Sequence, residues 1–337
     1  MAVLEIAVEI GTSYTSIFLS GNGIVLREPT VIAFLGDPKQ KRIRAVGQAA
    51  YEMLGKAPEK TTVVCPVVDG FIADKDSCIL LLKEFVKRIL PQNYIFFPKI
   101  KAILGVPTGL TMEERRVYED VLLAANIKEI TMVENIILSA VGIDLPISTS
   151  CGGLVVNVGG GITEIVAMSV SGVVSGCGVT IGGNLMDKAL IDFAAGKHNL
   201  KLGLNTARKV KTEIGTLYEN DTSEMIVRGI DLQTKNVSTA KIKAVDVCTV
   251  LRPYYIRIRD AIEKILKSLP PDIASDIYKT GIYFVGGGSK ITGLEKFMSE
   301  ELSLGAFVPE DPEYAAILGA GKLLSDKYLL SEILSQK

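Results

Sequence analysis

The chain has 337 residues, 48% of them hydrophobic, which is length enough for two domains with cores of their own. Its 37 Lys and Arg stand against 38 Asp and Glu, a net charge of −1. That balance lacks the basic excess of a dedicated nucleic-acid binder, so no nucleic-acid partner is expected.

In chain order, residues 3–8 alternate as a strand and lead into the turn Glu9-Ile10-Gly11-Thr12-Ser13-Tyr14-Thr15. Strands at 16–20 and 24–27 follow, joined by the tight turn Gly21-Asn22-Gly23. Thr111 and Glu114 have capping-box spacing, which predicts a helix from there to about Ala125. The opening pattern then returns: a strand at 153–158, the turn Gly159-Gly160-Gly161-Ile162, a strand at 163–169, a turn at Ser171-Gly172 and a strand at 173–179. Gly11 and Gly159 are 148 positions apart, as are Thr15 and Thr163, so the chain reads as two similar lobes, each opening with a β-meander. Apolar residues from Val247 to Leu269 recur at helical spacing; Pro253 either kinks this helix or marks its start, and Pro270-Pro271 ends it. A third glycine turn, Gly286-Gly287-Gly288-Ser289, follows an apolar strand and precedes a helix at 294–302. The leucine-rich segment 323–335 reads as a terminal helix packed on its own lobe.

Cys65, Cys78, Cys151, Cys177 and Cys248 form no CxxC pair and read as reduced cytosolic thiols. His198 is the only histidine, which argues against a histidine-rich zinc centre and a Ser-His-Asp triad; in Lys197-His198-Asn199 it reads as a solvated surface residue. The amino terminus shows no signal-peptide pattern, and no run reaches the roughly 18 apolar residues of a spanning helix.

Glycine lets a backbone N–H come close to an anionic oxygen. Any one of the three turns could simply end a strand. Two hairpin turns at equivalent places in duplicated lobes would face each other and clamp a polyphosphate, with the third turn admitting the nucleoside end at a helix entrance. Their order resembles the phosphate-1, phosphate-2 and adenosine motifs of the actin, sugar-kinase and heat-shock-chaperone superfamily. More closely, the chain resembles the MreB family over nearly its whole length. Gly23-Ile24-Val25-Leu26-Arg27-Glu28-Pro29-Thr30-Val31-Ile32-Ala33 is similar to that family's GIVLNEPSVVA, and Asp69-Gly70-Phe71-Ile72-Ala73-Asp74 to its DGVIAD. Val106-Pro107-Thr108-Gly109 is similar to VPSG, and Ile181-Gly182-Gly183-Asn184-Leu185-Met186-Asp187 to IGGDEMD. Glu213-Ile214-Gly215 is similar to the start of EIGSAY, and Gly319-Ala320-Gly321-Lys322 to GTGK.

The resemblance implies an α/β, actin-like two-lobed fold of duplicated ribonuclease-H-like domains, each with a mixed five-stranded sheet flanked by helices. Lobe I would span 1–145, with its core at 1–32 and 75–145 and a small subdomain at about 33–74. Lobe II would span 146–337, with its core at 146–180 and 246–325 and a small subdomain at about 181–245. It further implies ATP/ADP with Mg2+ as cofactors, bound by Gly11, Thr12, Ser13, Tyr14, Thr15, Gly159, Gly160, Gly161, Gly286, Gly287, Gly288 and Ser289, with Arg208 and Lys211 at the nucleoside.

Several positions depart from the family pattern. Where it opens the two phosphate motifs with Asp, directed to the metal through water, this chain has Glu9 and Asn157. The family's water-positioning Glu and Thr correspond to Asn135 and Ile162, which keep the family's separation of 27 residues. An amide is a poor general base and Ile162 has no hydroxyl, so slow hydrolysis or none is expected, with Glu134 as a possible substitute base. Arg208 stands where the family has an acidic nucleoside contact, leaving base selectivity open.

Tyr94, Ile95, Phe96 and Phe97, bracketed by prolines and lysines, suit a loop entering a lipid interface, as in the family, or a buried edge strand. The family further implies self-assembly into filaments at the cytoplasmic face of the cell membrane, in shape maintenance. A non-hydrolysing scaffold copolymerising with paralogous MreB-like subunits, in shape or motility of a wall-less helical bacterium, is the alternative. A sugar-kinase-type phosphotransferase is a third reading, although no substrate-binding insertion is visible.

Overall fold

The computed structural model describes residues 3–40, 42–90, 98–145, 152–169 and 172–335. The apolar segment Tyr94 to Phe97 lies outside them, as does Cys151.

The first meander forms β1 (Val3–Ile10), β2 (Tyr14–Leu19) and β3 (Gly23–Pro29), joined antiparallel. Glu9, Ile10, Tyr14 and Thr15, expected in the turn, are strand residues, because Glu9 pairs with Ser16 and Ile10 with Thr15. That leaves three residues, Gly11 to Ser13, to make the reversal. A small sheet of β4 (Ile32–Leu35), β5 (Ile43–Val46) and β6 (Thr61–Val64) follows, with the short helix α1 (Gln48–Tyr51) inserted. The strands β7 (Val67–Val68) and β8 (Phe71–Ile72) close a turn on Asp69 and Gly70. Next come α2 (Lys75–Ile89), β9 (Lys99–Val106), α3 (Met112–Ala124), β10 (Ile127–Glu134) and α4 (Asn135–Gly142). The capping box at Thr111 and Glu114 is made in both directions.

The second half repeats the scheme. The meander β11 (Gly153–Val158), β12 (Thr163–Ser169) and β13 (Gly172–Val179) leads to α5 (Gly183–His198). A small sheet of β14 (Leu200–Lys201), β15 (Glu224–Asp231) and β16 (Val237–Lys243) surrounds α6 (Leu204–Ile214). Then follow α7 (Ala244–Ser268), α8 (Pro271–Thr280), β17 (Ile282–Val285), α9 (Leu294–Leu302), β18 (Ala306–Phe307), α10 (Ala315–Ser325) and α11 (Lys327–Ser335).

The two five-stranded sheets are ordered β10-β9-β1-β2-β3 and β13-β12-β11-β17-β18. Each has one meander and two parallel strands beside it, so the duplication read from the glycine spacing extends to whole sheets. Large apolar cores cover one face of each, built on Ile6, Leu104 and Phe85 in the first half and on Val156, Ile258 and Phe284 in the second.

One open alternative closes and two expectations need correction. Pro253 lies inside α7, whose start is Ala244; a buried stripe through Val247, Leu251, Tyr255 and Ile258 outweighs the one backbone bond that proline cannot make. His198 is half-buried, its ring edge-on to Phe193 at 5.8 Å, because it ends α5 beside an aromatic one turn earlier. The carboxy-terminal segment is two helices broken at Asp326, whose carboxylate accepts the N–H of Leu329. It packs against the first sheet rather than on its own half: Leu323 and Ile333 cluster with Ala7, Ile103 and Val133, a face left apolar by β1, β9 and β10.

The arrangement is reciprocal. α4, from the first half, packs on Val155, Val166 and Val285 of the second sheet. α10, from the second half, packs on the first sheet, and the two helices cross where Gly142 meets Ala315 and Gly319 meets Leu138. Lys322 of α10 donates to the carbonyl of Gly142 at 2.9 Å and pairs with Asp144 at 2.6 Å, capping the end of α4.

Candidate functional site

Each meander reverses in the same way. The N–H of Gly11 donates to the carbonyl of Tyr14 at 2.9 Å, and that of Gly159 to Ile162 at 2.9 Å. Thr30 steadies the first turn by donating to the carbonyl of Gly11 at 2.7 Å while sharing a hydrogen bond with Thr15 at 3.0 Å. Thr163 steadies the second by donating to the carbonyl of Ile181 at 2.7 Å.

The two turns meet face to face. A Cβ on Gly160 would collide with Ser13 Oγ, and one on Gly161 would lie 2.7 Å from Thr12 Oγ1 and from the Asp69 backbone. Only glycine permits this approach. Thr12 in turn accepts the N–H of Gly70 at 2.8 Å.

Beside them opens a cavity of about 530 Å³. Its lining gathers most of the residues singled out by sequence: Glu9, Gly11, Thr12, Ser13, Tyr14, Asn135, Asn157, Gly159, Gly160, Gly161, Ile162, Arg208, Lys211, Gly286, Gly287 and Gly288. Three do not line it. Thr15 is buried and spends its hydroxyl on Thr30, Ser289 donates to the carbonyl of Gly286 at 2.7 Å, and Glu134 faces Arg115 at 3.4 Å. The first two hold turns in shape. Glu134, offered as a substitute base, meets Arg115 and is not among the residues that line the cavity.

The third glycine turn rests on the second meander: Gly286, at φ +83°, touches Asn157, and Gly288 abuts Val158. Tyr255 fixes it from α7 by donating to the carbonyl of Gly288 at 2.7 Å. A single 3-10 turn, Gly287–Lys290, separates it from α9.

At the other end, Arg208 donates to Asp187 at 3.0 Å, to Asn184 at 2.7 Å and to the hydroxyl of Tyr51 at 3.1 Å. Tyr51 belongs to α1 in the first half, so this contact spans the cleft. Lys211 pairs with the fully buried Asp187 at 2.6 Å and donates to the carbonyl of Gly183 at 2.6 Å; burial lowers its pKa against the pull of that aspartate.

Comparison with known proteins decides the lineage. The family described as MreB/Mbl protein matches residues 3–332. The chain belongs to the MreB/Mbl family. It is 33% identical to the cell shape-determining protein MreB of Escherichia coli strain K12 over 323 residues, covering 95% of this chain and 93% of that one. It is 28% identical to the cell shape-determining protein Mbl of Bacillus subtilis strain 168 over 327 residues, 97% of each. Among solved structures, MreB5 of Spiroplasma citri bound to ADP superposes with a TM-score of 0.90 at 27% identity, over 97% of this chain and 98% of that one. The MamK double helical filament has a TM-score of 0.81 at 23% identity over 96% and 99%, which speaks for the shared actin-like fold alone.

Against the MreB/Mbl pattern, the altered positions have definite surroundings. Asn135 begins α4, is 7% exposed, and its Oδ1 has no hydrogen-bond partner among the described residues. Ile162 presses its methyls against Gly70, which sits at φ +85°. Asn157 donates to Glu164 at 3.1 Å, and the other oxygen of Glu164 accepts the N–H of Thr108 at 2.7 Å. Glu164 follows the second turn directly; its charge in an apolar strand was the sequence signal that marks it. Burial raises its pKa against those hydrogen bonds. Burial likewise pushes Glu9 up to about 7, with Arg27 pulling it down and Glu164 adding to the rise. A divalent metal implied by the family finds no protein cage here. The Asn157 amide carries no charge, both Glu164 oxygens are engaged, and no group of three acidic, His or Cys side chains among the described residues could hold an ion. Glu9 is left as the one charged contact from the two motif-opening positions.

Proposed function

We propose that this MreB/Mbl protein is an actin-like cytoskeletal subunit that binds a nucleoside triphosphate in the cleft between its two glycine hairpins and assembles into filaments governing cell shape. The observation that carries the reading is the pair of turns, alike in hydrogen bonding and meeting at the edge of one cavity that both line; Gly11 and Gly159 close the turns with their own N–H groups, which leaves the amides of Thr12, Ser13, Gly160 and Gly161 as the ones to meet phosphate oxygens. ATP and ADP are the expected ligands, and solved relatives carrying ADP or AMPPNP support this. Mg2+ would arrive with the nucleotide and meet Glu9 through water. The lobe boundary at 145/146, with subdomains at 33–74 and 181–245, is the partition we propose for the halves closing on that ligand. Calorimetry with ATP, ADP and AMPPNP, paired with pelleting of the same samples, tests the reading. Saturable binding with nucleotide-dependent sedimentation is expected; no heat with any of them would refute it.

Hydrolysis is slow in this reading, because Asn135 offers an unpartnered amide where a base is needed and Ile162 offers no hydroxyl. That feature favours a second reading, a subunit that uses nucleotide as a structural ligand and copolymerises with an active paralogue. Single-turnover phosphate release separates the two: no release over hours supports the second.

Attachment to the cytoplasmic face of the cell membrane would fall to Tyr94, Ile95, Phe96 and Phe97. Prolines on both sides of this apolar run, Pro91 and Pro98, with Lys99 and Lys101 after it, support an exposed, lipid-facing loop, and no helix among the described residues is long and apolar enough to cross a membrane. Phe96→Ser with Phe97→Ser should abolish co-sedimentation with anionic liposomes; undiminished co-sedimentation would remove the loop from the account.

A further inference from the structure

Arg27 is a charged residue in the cavity wall that the family pattern does not supply, since GIVLNEPSVVA has Asn at the matching place. Its placement follows from strand register. Glu9 pairs with Ser16, and Ser16 with Arg27, so the three stand in one row across β1, β2 and β3, and all three line the cavity. The guanidinium lies 4.2 Å from the ring centroid of Tyr14 and 4.6 Å from that of Tyr314. Tyr14 ends the first glycine turn and Tyr314 stands immediately before α10, so the stack ties the turn to a helix from the other half of the chain.

The two rings hold the guanidinium carbon by cation–π contact, which uses none of its N–H donors. Among the described residues the Arg27 side chain makes no hydrogen bond or ion pair, and its Nε is buried without a partner. Glu9 and Glu313 act on it through space, but Glu313 is already paired with Lys290 at 2.6 Å. A part-buried cation that has its stacking but not its hydrogen bonds is incomplete as a structural device. A planar donor fork held beside the first glycine turn suits the way arginine takes phosphate oxygens in pairs.

We propose that Arg27 is a phosphate-binding residue of the cleft: its guanidinium, clamped between Tyr14 and Tyr314, grips the nucleotide's phosphate oxygens and supplies positive charge from the protein itself. The proposal rests on the nucleotide-cleft reading above. It adds positive charge from β3 to a cavity where Asn157 is an uncharged amide and both Glu164 oxygens already accept hydrogen bonds.

The test is calorimetry of the full chain with adenosine, ADP and AMPPNP, each in Mg2+ and in EDTA, for wild type, Arg27→Gln and Arg27→Lys. Wild type should bind ADP and AMPPNP more tightly than adenosine in both buffers. Arg27→Gln should weaken ADP and AMPPNP about ten- to a hundredfold in both buffers and leave adenosine unchanged. Arg27→Lys, which keeps the charge without the fork, should fall between. If Arg27→Gln does not fold, Arg27→Lys carries the comparison by its loss for phosphates against adenosine. Wild-type affinity for AMPPNP in Arg27→Gln, with a melting temperature lowered equally with and without ligand, would reduce Arg27 to a structural stack and overturn the proposal. No binding by wild type in either buffer would strike the nucleotide cleft itself, a different failure.

Discussion

Glu9 is a carboxyl whose surroundings favour its protonated form in the folded, ligand-free protein. Its pKa there is about 7, set chiefly by burial, against an ordinary value of 4.5. Below pH 4.5 it is protonated whether the chain is folded or unfolded, and the folded state keeps its full advantage. As pH rises from 4.5 through 7, the unfolded chain ionises first and that advantage is lost. Glu9→Gln is neutral throughout, so with chelator and no nucleotide its stability gain over wild type should grow across this window and level off above pH 7. The ceiling is about 3 kcal/mol, and less is expected because the carboxylate borders the cavity's solvent. Equal urea midpoints at pH 8 would contradict the burial argument. The hydrolytic positions invite the reverse experiment. Asn135→Glu with Ile162→Thr restores a base and a hydroxyl, and single-turnover phosphate release should rise at least about a hundredfold, the lower range for a positioned general base. At this scale the sequence was informative about chemistry and silent about partners. Asn135 and Ile162 were recognisable as departures from a pattern, whereas the stacking of Arg27 joins residues 14, 27 and 314 and depends on the folded chain.

Among the elements, the crossing of α4 and α10 is the tightest junction between the halves. Gly319 lies against the carbonyl of Leu138, and Gly142 against that of Ala315, with no space for a Cβ at either. Gly319→Ala should therefore force the helices apart and cost about 1–3 kcal/mol or more by thermal unfolding. Gly196→Ala in α5, where a Cβ would meet open space, should be neutral or stabilising by up to about 1 kcal/mol. If the two variants melt alike, close packing at the crossing is not what the glycines provide. The meanders were legible because alternating apolar residues and glycine turns are local signals, and the Thr111 capping box for the same reason. The reciprocal exchange of α4 and α10 between sheets was not. The apolar faces of both helices are visible in sequence, but which sheet each covers is decided by contacts between residues more than a hundred positions apart. Pro253 left two readings open for a related reason: burial of α7 along its length, which outweighs one missing backbone hydrogen bond and excludes a start at the proline, depends on the folded chain.

For the molecule as a whole, two sheets of like order, each with a glycine turn at its meander, bring those turns together at one cavity. Arg208 spans the cleft to Tyr51 at its far side, and the α4–α10 crossing joins the halves on the other. The central claim is that this cleft closes on a nucleotide whose phosphates lie between the two turns. Hydrogen–deuterium exchange of the full chain, with and without AMPPNP, reads both turns in one measurement. The account predicts that backbone amides at 12–13 and 160–161 gain protection together, at the same nucleotide concentration. Protection at one turn alone, or at neither while nucleotide is demonstrably bound, would contradict it.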